Sequence, residues 1–138
     1  MTSWLNSKPQ ETALNILVVS DDIQALSLIC GPLTQVGHTV YHVSDAELAV
    51  EFLGENPMPD LLIVDFHEPE IDGKAFVEVS RLRFGRKTLA PLVFLRDDVG
   101  DERTAQIMDV DDVLSKSEGS AALVDYVQNR ARTAAAAR

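Results

Sequence analysis

The residues of this sequence best placed to do chemistry stand at the ends of apolar runs. Residues 61–64 (LLIV) run into Asp65, residues 15–19 (NILVV) into Ser20, Asp21 and Asp22, and residues 91–95 (PLVFL) into Arg96, Asp97 and Asp98. A weaker run, residues 112–115, ends at Lys116. Carboxylates gathered within ~4 Å repel by ~4 kcal/mol per pair at an effective dielectric of ~20, so such a cluster needs a cation. Magnesium held through oxygens, or a fixed Lys or Arg, would serve. An acid at the end of one run is ordinary surface solvation. Several ends meeting on one edge would make a site.

The elements that would gather these ends follow from the pattern. Short continuous apolar runs bounded by Pro- and Gly-containing loops suit strands buried on both faces. Outside the carboxyl ends of such strands lies the crevice where open parallel sheets bind ligands. After Asp65, a loop with Pro69 and Asp72-Gly73 turns the chain into a helix over residues 74–84. Phe76, Val77 and Leu82 are expected on its inner face, and Arg81, Arg83, Arg86 and Lys87 complement the dipole at its end. From Ile23, Leu26, Ile29, Leu33 and Val36 fall at helical spacing, with Gly31-Pro32 expected to bend or interrupt the helix and Gly37 to end it. Residues 38–43 alternate as a strand, and Ser44 with Glu47 forms an expected capping box for a helix through Leu53. A short helix over residues 99–108 and a last one over 119–130, with Leu123, Val124 and Val127 inward, complete the pattern. Strand and helix thus alternate five times, which predicts an α/β fold with a doubly wound, mostly parallel sheet and helices on both faces.

Composition bounds the function. With 138 residues, 46% hydrophobic and 25% charged, the chain fits one domain: a tail over 1–14, a core over 15–130, and a tail or linker over 131–138. A formal charge of −10 weighs against nucleic-acid or anionic-membrane surfaces. Cys30 is the one cysteine, so no intramolecular disulfide forms, and the N-terminus lacks the basic-then-apolar pattern of a signal peptide. The expected compartment is the cytoplasm. Neither G-x-G-x-x-G nor G-x-x-x-x-G-K-[ST] occurs. His38 and His42 read as surface or sheet-edge residues rather than zinc ligands, and Cys30 as a small core residue.

Asp65 followed by Pro69 and Asp72-Gly73, the acidic end of the first strand, Gly37, and Lys116 together resemble the receiver domain of bacterial two-component response regulators. The likeness covers residues 15 to about 130 and implies a flavodoxin-like (βα)5 fold with strand order 2-1-3-4-5. It also implies that Asp65 takes a phosphoryl group from a histidine kinase or phosphotransfer protein. Asp21, Asp65 and the His67 backbone carbonyl, with Asp22 as a further candidate, would hold magnesium, weakly, and Lys116 would pair with the phosphate. An output protein or domain would dock on the C-terminal helix-strand-helix face, which includes Val113, and there Asp109 and Asp111 are expected to form an acidic rim that steers a basic partner. A homodimer is compatible with the same resemblance.

The sequence departs from that pattern at several positions. Ser20 stands where the first of the acidic pair is usual, Arg96 where a hydroxyl residue is usual, and Val113 where an aromatic is usual. Ser117 replaces a proline after the lysine. Arg96 has two expected positions, turned inward onto Asp65 or Asp21, or outward to Asp97, Asp98 or Asp101. His67 and Asp98 are candidates for tuning the pocket. Two functions follow: a phosphoacceptor domain of a phosphorelay, enzymatic only in its own phosphorylation and dephosphorylation, and a degenerate receiver that binds protein independently of phosphorylation.

Overall fold

The computed structural model describes residues 13–96 and 109–136. Five strands, β1 (Asn15–Ser20), β2 (Thr39–Val43), β3 (Leu61–Asp65), β4 (Leu92–Arg96) and β5 (Asp112–Ser115), form one parallel sheet in the order β2-β1-β3-β4-β5. The helices are α1 (Gly31–Gln35), α2 (Ala46–Glu55), α3 (Lys74–Phe84) and α4 (Gly119–Ala136). The expected helix over 99–108, together with Asp97, Asp98 and Asp101, lies outside the described residues.

Alternation along each central strand feeds two cores. Leu17 and Val19 of β1, Leu62 and Val64 of β3, and Leu92 and Phe94 of β4 face one side, packed with Ala49 and Leu53 of α2 and Phe76 and Val77 of α3. Ile16, Val18, Leu61, Ile63, Val93 and Leu95 face the other, against Ile29 and Leu33 from the first helix and Leu123, Val127 and Ala131 of α4. Burial on both faces is why these strands read as continuous apolar runs. Ala131 is buried, and α4 continues through Ala136.

Local chemistry altered several expected details. Pro32 has no N–H to offer Leu28, and the chain before α1 widens into a π-helical turn (Leu26–Cys30) closed by Gly31 N–H donating to Leu26 O. Ser120 of α4 donates instead to the Leu28 carbonyl, at 2.9 Å. The helix therefore continues across Gly31-Pro32, and Leu26 and Val36, expected inward, are exposed. The cap of α2 is Asp45 rather than Ser44, its carboxylate accepting from Leu48 N at 2.8 Å. On α3, Leu82 is 87% exposed rather than inward, and Ser80 takes the buried position.

His38 is a correction of substance: it is buried. Its Nδ1 accepts from Leu14 N at 3.0 Å, which leaves Nε2 to donate to Gln128 Oε1, also at 3.0 Å. Cys30 is half-buried beside the same core, and burial pushes its thiol pKa up.

Candidate functional site

Strand register makes the site. Ser20 and Asp65 are paired residues of adjacent parallel strands, so their side chains project together from the carboxyl edge of the sheet. Asp65 is 3% exposed although it carries a carboxylate. Ser20 Oγ donates to Asp65 Oδ2 at 3.0 Å, and Lys116 Nζ lies 2.5 Å from Oδ1. Each carboxylate oxygen thus has its own partner, one neutral and one cationic.

The supporting residues explain why these two groups face inward. Asp22 N donates to Ser20 Oγ at 3.1 Å, filling an acceptor position and leaving the hydroxyl proton for Asp65. His42 Nε2 lies 3.2 Å from the Ser20 carbonyl, and since a carbonyl only accepts, Nε2 carries the proton. Lys116 begins a 3-10 turn (Lys116–Glu118) whose cap is the buried Ser115, with Ser117 N donating to Ser115 Oγ at 3.3 Å. The two hydroxyls are themselves 2.7 Å apart. On the far side of Asp65, Gly73 lets α3 start close against β4: a Cβ there would fall 2.6 Å from the Phe94 ring. Glycine is required at that contact.

The remaining acids serve different ends. Asp21 is exposed and its carboxylate accepts the His67 N–H at 3.2 and 3.3 Å, which brings the loop after β3 beside it. Asp22 Oδ1 accepts from Gln24 N at 2.9 Å at the start of the first helical segment. Asp65 is paired with Ser20 and Lys116, and Asp21 accepts the His67 amide. Arg96 sits at the end of β4 opposite Ser115, half-buried. Val113 is half-buried against the core, and Asp98 lies outside the described residues.

An apolar pocket of about 120 Å³ opens beside Asp65 and Lys116, walled by Leu28, Leu95, Leu114 and Leu123. Sequence reasoning missed His42 and Ser115. Ser115 was the findable one, because it immediately precedes the lysine at a strand end.

Of the two acids of the expected rim, one has arginine partners. Arg86 holds the Asp109 carboxylate with two bonds of 2.9 and 2.8 Å, and Arg81 donates to the Asp109 carbonyl at 3.0 Å. The Arg86 pairing keeps the Asp109 carboxyl below its ordinary range. Asp111 is spent on the backbone, accepting from Leu92 N at 2.7 Å. Arg86 thus offsets the Asp109 charge, whereas Asp111 keeps its charge at an exposed position.

No family model matches the chain. Over 103 residues it is 30% identical to the alkaline phosphatase synthesis transcriptional regulatory protein PhoP of Bacillus subtilis, a match covering 73% of this chain and 41% of that protein. The chain therefore spans about two fifths of the length of the curated relatives it matches, 41% in each case. Its structure is similar to the signal receiver domain of a signal transduction histidine kinase from Syntrophus aciditrophicus, at 28% identity and a TM-score of 0.68 over 85% of this chain and 89% of that one. In fold it also matches chemotaxis protein CheY4 of Vibrio cholerae, at 21% identity and a TM-score of 0.71 over 85% and 98%. With the sheet order and the edge chemistry, these findings make the chain a receiver domain, the signalling module of two-component response regulators. Among the described residues, no helix is long and apolar enough to cross a membrane.

Proposed function

We propose that this receiver domain accepts a phosphoryl group on Asp65 from a histidine kinase or phosphotransfer protein and passes the signal to an output partner in the cytoplasm. The observation that carries this is a buried carboxylate at the carboxyl edge, held between a hydroxyl and a lysine and open to a pocket. In the reaction an Asp65 oxygen attacks phosphorus, the bond from phosphorus to the donor's nitrogen or oxygen breaks, and its electron pair leaves with the donor. Lys116 stands where charge gathers on the transferring oxygens, and positioning with electrostatics is most of what phosphoryl transfer asks of a protein.

Receiver domains generally bind magnesium at their acidic site. Here the donor set is two carboxylates, Asp21 and Asp65, with the His67 carbonyl on a loop that the amide bond to Asp21 brings alongside. Asp22 is a further oxygen at the same edge. Among the described residues no group of three or more His, Cys, Asp or Glu is gathered to hold a metal. Magnesium keeps several waters and needs only one or two carboxylates, so the set fits a weakly held ion. When bound, the ion would neutralise charge on the phosphoryl oxygens.

Incubation with acetyl phosphate and magnesium, followed by intact mass and borohydride trapping with peptide mapping, tests the acceptor. Labelling should map to Asp65 and vanish in Asp65→Asn. Labelling that persists in that variant overturns the assignment. A protein that binds its partner with no labelling at all would instead be the phosphorylation-independent module, the reading that Ser20, Arg96 and Val113 favour.

A further inference from the structure

We propose that Ser20 frees phosphoryl acceptance at Asp65 from a strict need for a divalent cation, an inference that rests on the phosphoacceptor reading above. Ser20 is 1% exposed and is the register partner of Asp65, so strand pairing alone fixes the two side by side. Its hydroxyl has one proton. With Asp22 N–H occupying an acceptor position, the short contact that remains for that proton is Asp65 Oδ2, 3.0 Å away. The alternative contact, to the Asp22 carbonyl, is 3.5 Å. The His42 bond to the Ser20 carbonyl pins the backbone behind it.

The consequence is electrostatic. A carboxylate at position 20 would put a second negative charge against Asp65 at hydrogen-bond range, and that pair would demand a cation. A serine there adds a donor and no charge. Lys116 on Oδ1 then supplies a positive charge directly against Asp65, while Asp21 turns its carboxylate to the His67 amide. Each carboxylate oxygen still has a second lone-pair direction, so one can attack while Ser20 and Lys116 remain bound. As an Asp65 oxygen bonds to phosphorus and the acyl phosphate's phosphorus–oxygen bond breaks, acetate leaves with the electron pair. The Lys116 ammonium can follow the charge onto the phosphoryl oxygens. Ser20 is a positioning residue in this step: it acts through Asp65.

The test compares acetyl phosphate labelling rates, by intact mass, in EDTA and in magnesium, beside calorimetric titration with magnesium alone. Wild-type protein should label at rates within about threefold in the two buffers, the fixed lysine already supplying the positive charge. Ser20→Asp should lose about thirtyfold or more in EDTA, recover with magnesium, and bind magnesium about tenfold more tightly. Ser20→Thr, which keeps the hydroxyl, should follow the wild type's insensitivity to EDTA, whereas a merely structural role would not distinguish Thr from Asp by metal dependence. Wild-type labelling of Asp65 that needs magnesium overturns this inference and leaves the phosphoacceptor reading standing. Absence of labelling in both buffers overturns that reading itself. The wild-type comparison needs no variant, so a misfolded substitution cannot shelter the proposal.

Discussion

The two edges of the same sheet spend their polar side chains differently. At the amino edge each is matched to backbone or to a neutral or oppositely charged partner. Asp60 Oδ2 accepts from Asn15 N at 2.8 Å, Asp111 Oδ2 accepts from Leu92 N, His38 joins Leu14 N to Gln128, and Tyr126 OH donates to Asp112 Oδ2 at 2.6 Å. These bonds start the strands at fixed registers and tie α4 to the sheet. At the carboxyl edge Asp65 is paired with Ser20 and Lys116 and nearly sealed from water. Burying a carboxylate costs stability that a folding argument alone would not ask for. The amino edge holds the fold, and the carboxyl edge holds chemistry.

The sharpest break of that division comes from His38. Replacing it with Ala leaves the Leu14 N–H and the Gln128 amide oxygen without their partner beside the core, at a cost of about 2–3 kcal/mol. Urea unfolding should show that loss while labelling of Asp65 persists in the folded fraction. Asp65→Asn should do the opposite, abolishing labelling while costing less than about 1 kcal/mol. Its amide oxygen can still accept from Ser20, and Lys116 remains one-third exposed to water. If His38→Ala also abolished labelling in folded protein, or Asp65→Asn proved the more destabilising, the division between the edges would fail.

A smaller effect is expected at Tyr126. Its phenol is half-buried, donates to Asp112 and accepts from Arg130 Nη1 at 3.1 Å. Burial, then the Asp112 bond, pushes its pKa up to about 12. Tyr126→Phe should cost about 1 kcal/mol, measured by the urea midpoint, without altering the labelling rate. A change in labelling with stability preserved would show that the amino edge communicates with the site.

How much of this was legible in the sequence follows from the same contrast. The central strands declared themselves because burial on both faces leaves continuous apolar runs, and Asp65 stood out because it ends one of them. The Ser20–Asp65 contact was implicit in two runs of matching register, and Lys116 in the fifth strand end. What the sequence concealed depends on partners far along the chain. His38 looked exposed because its partners are Leu14 and Gln128, 24 and 90 residues away. The π-helical turn needed knowledge that Ser120 would take the Leu28 carbonyl. Leu82 misled because the inner face of α3 includes Ser80, a small polar residue that hides the true stripe. At the site, Asp21 turned to a backbone amide and Lys116 paired with Asp65, choices made by side-chain geometry that spacing does not encode.

The smallest expected effect sharpens the comparison by pH. Burial lowers the His38 pKa from its ordinary 6.5, against a smaller raising influence of the Gln128 bond. The unfolded chain therefore takes up a proton on this residue at a higher pH than the folded chain does. Where the unfolded state binds more protons, stability rises with pH, so the His38 contribution is fully present above about 6.5 and is lost as pH falls from there through the lowered folded value. The bonding pattern points the same way as burial: protonating Nδ1 would turn an acceptor into a donor facing the Leu14 N–H, 3.0 Å away. Urea midpoints at about pH 7.5 and about pH 5.5 should fall more in wild type than in His38→Gln, which keeps an acceptor and cannot titrate. Carboxylates titrate in both proteins, so the difference between the two slopes isolates the histidine. Equal slopes would mean that the amino edge, like the carboxyl edge, tolerates charge where the bonding pattern says it should not.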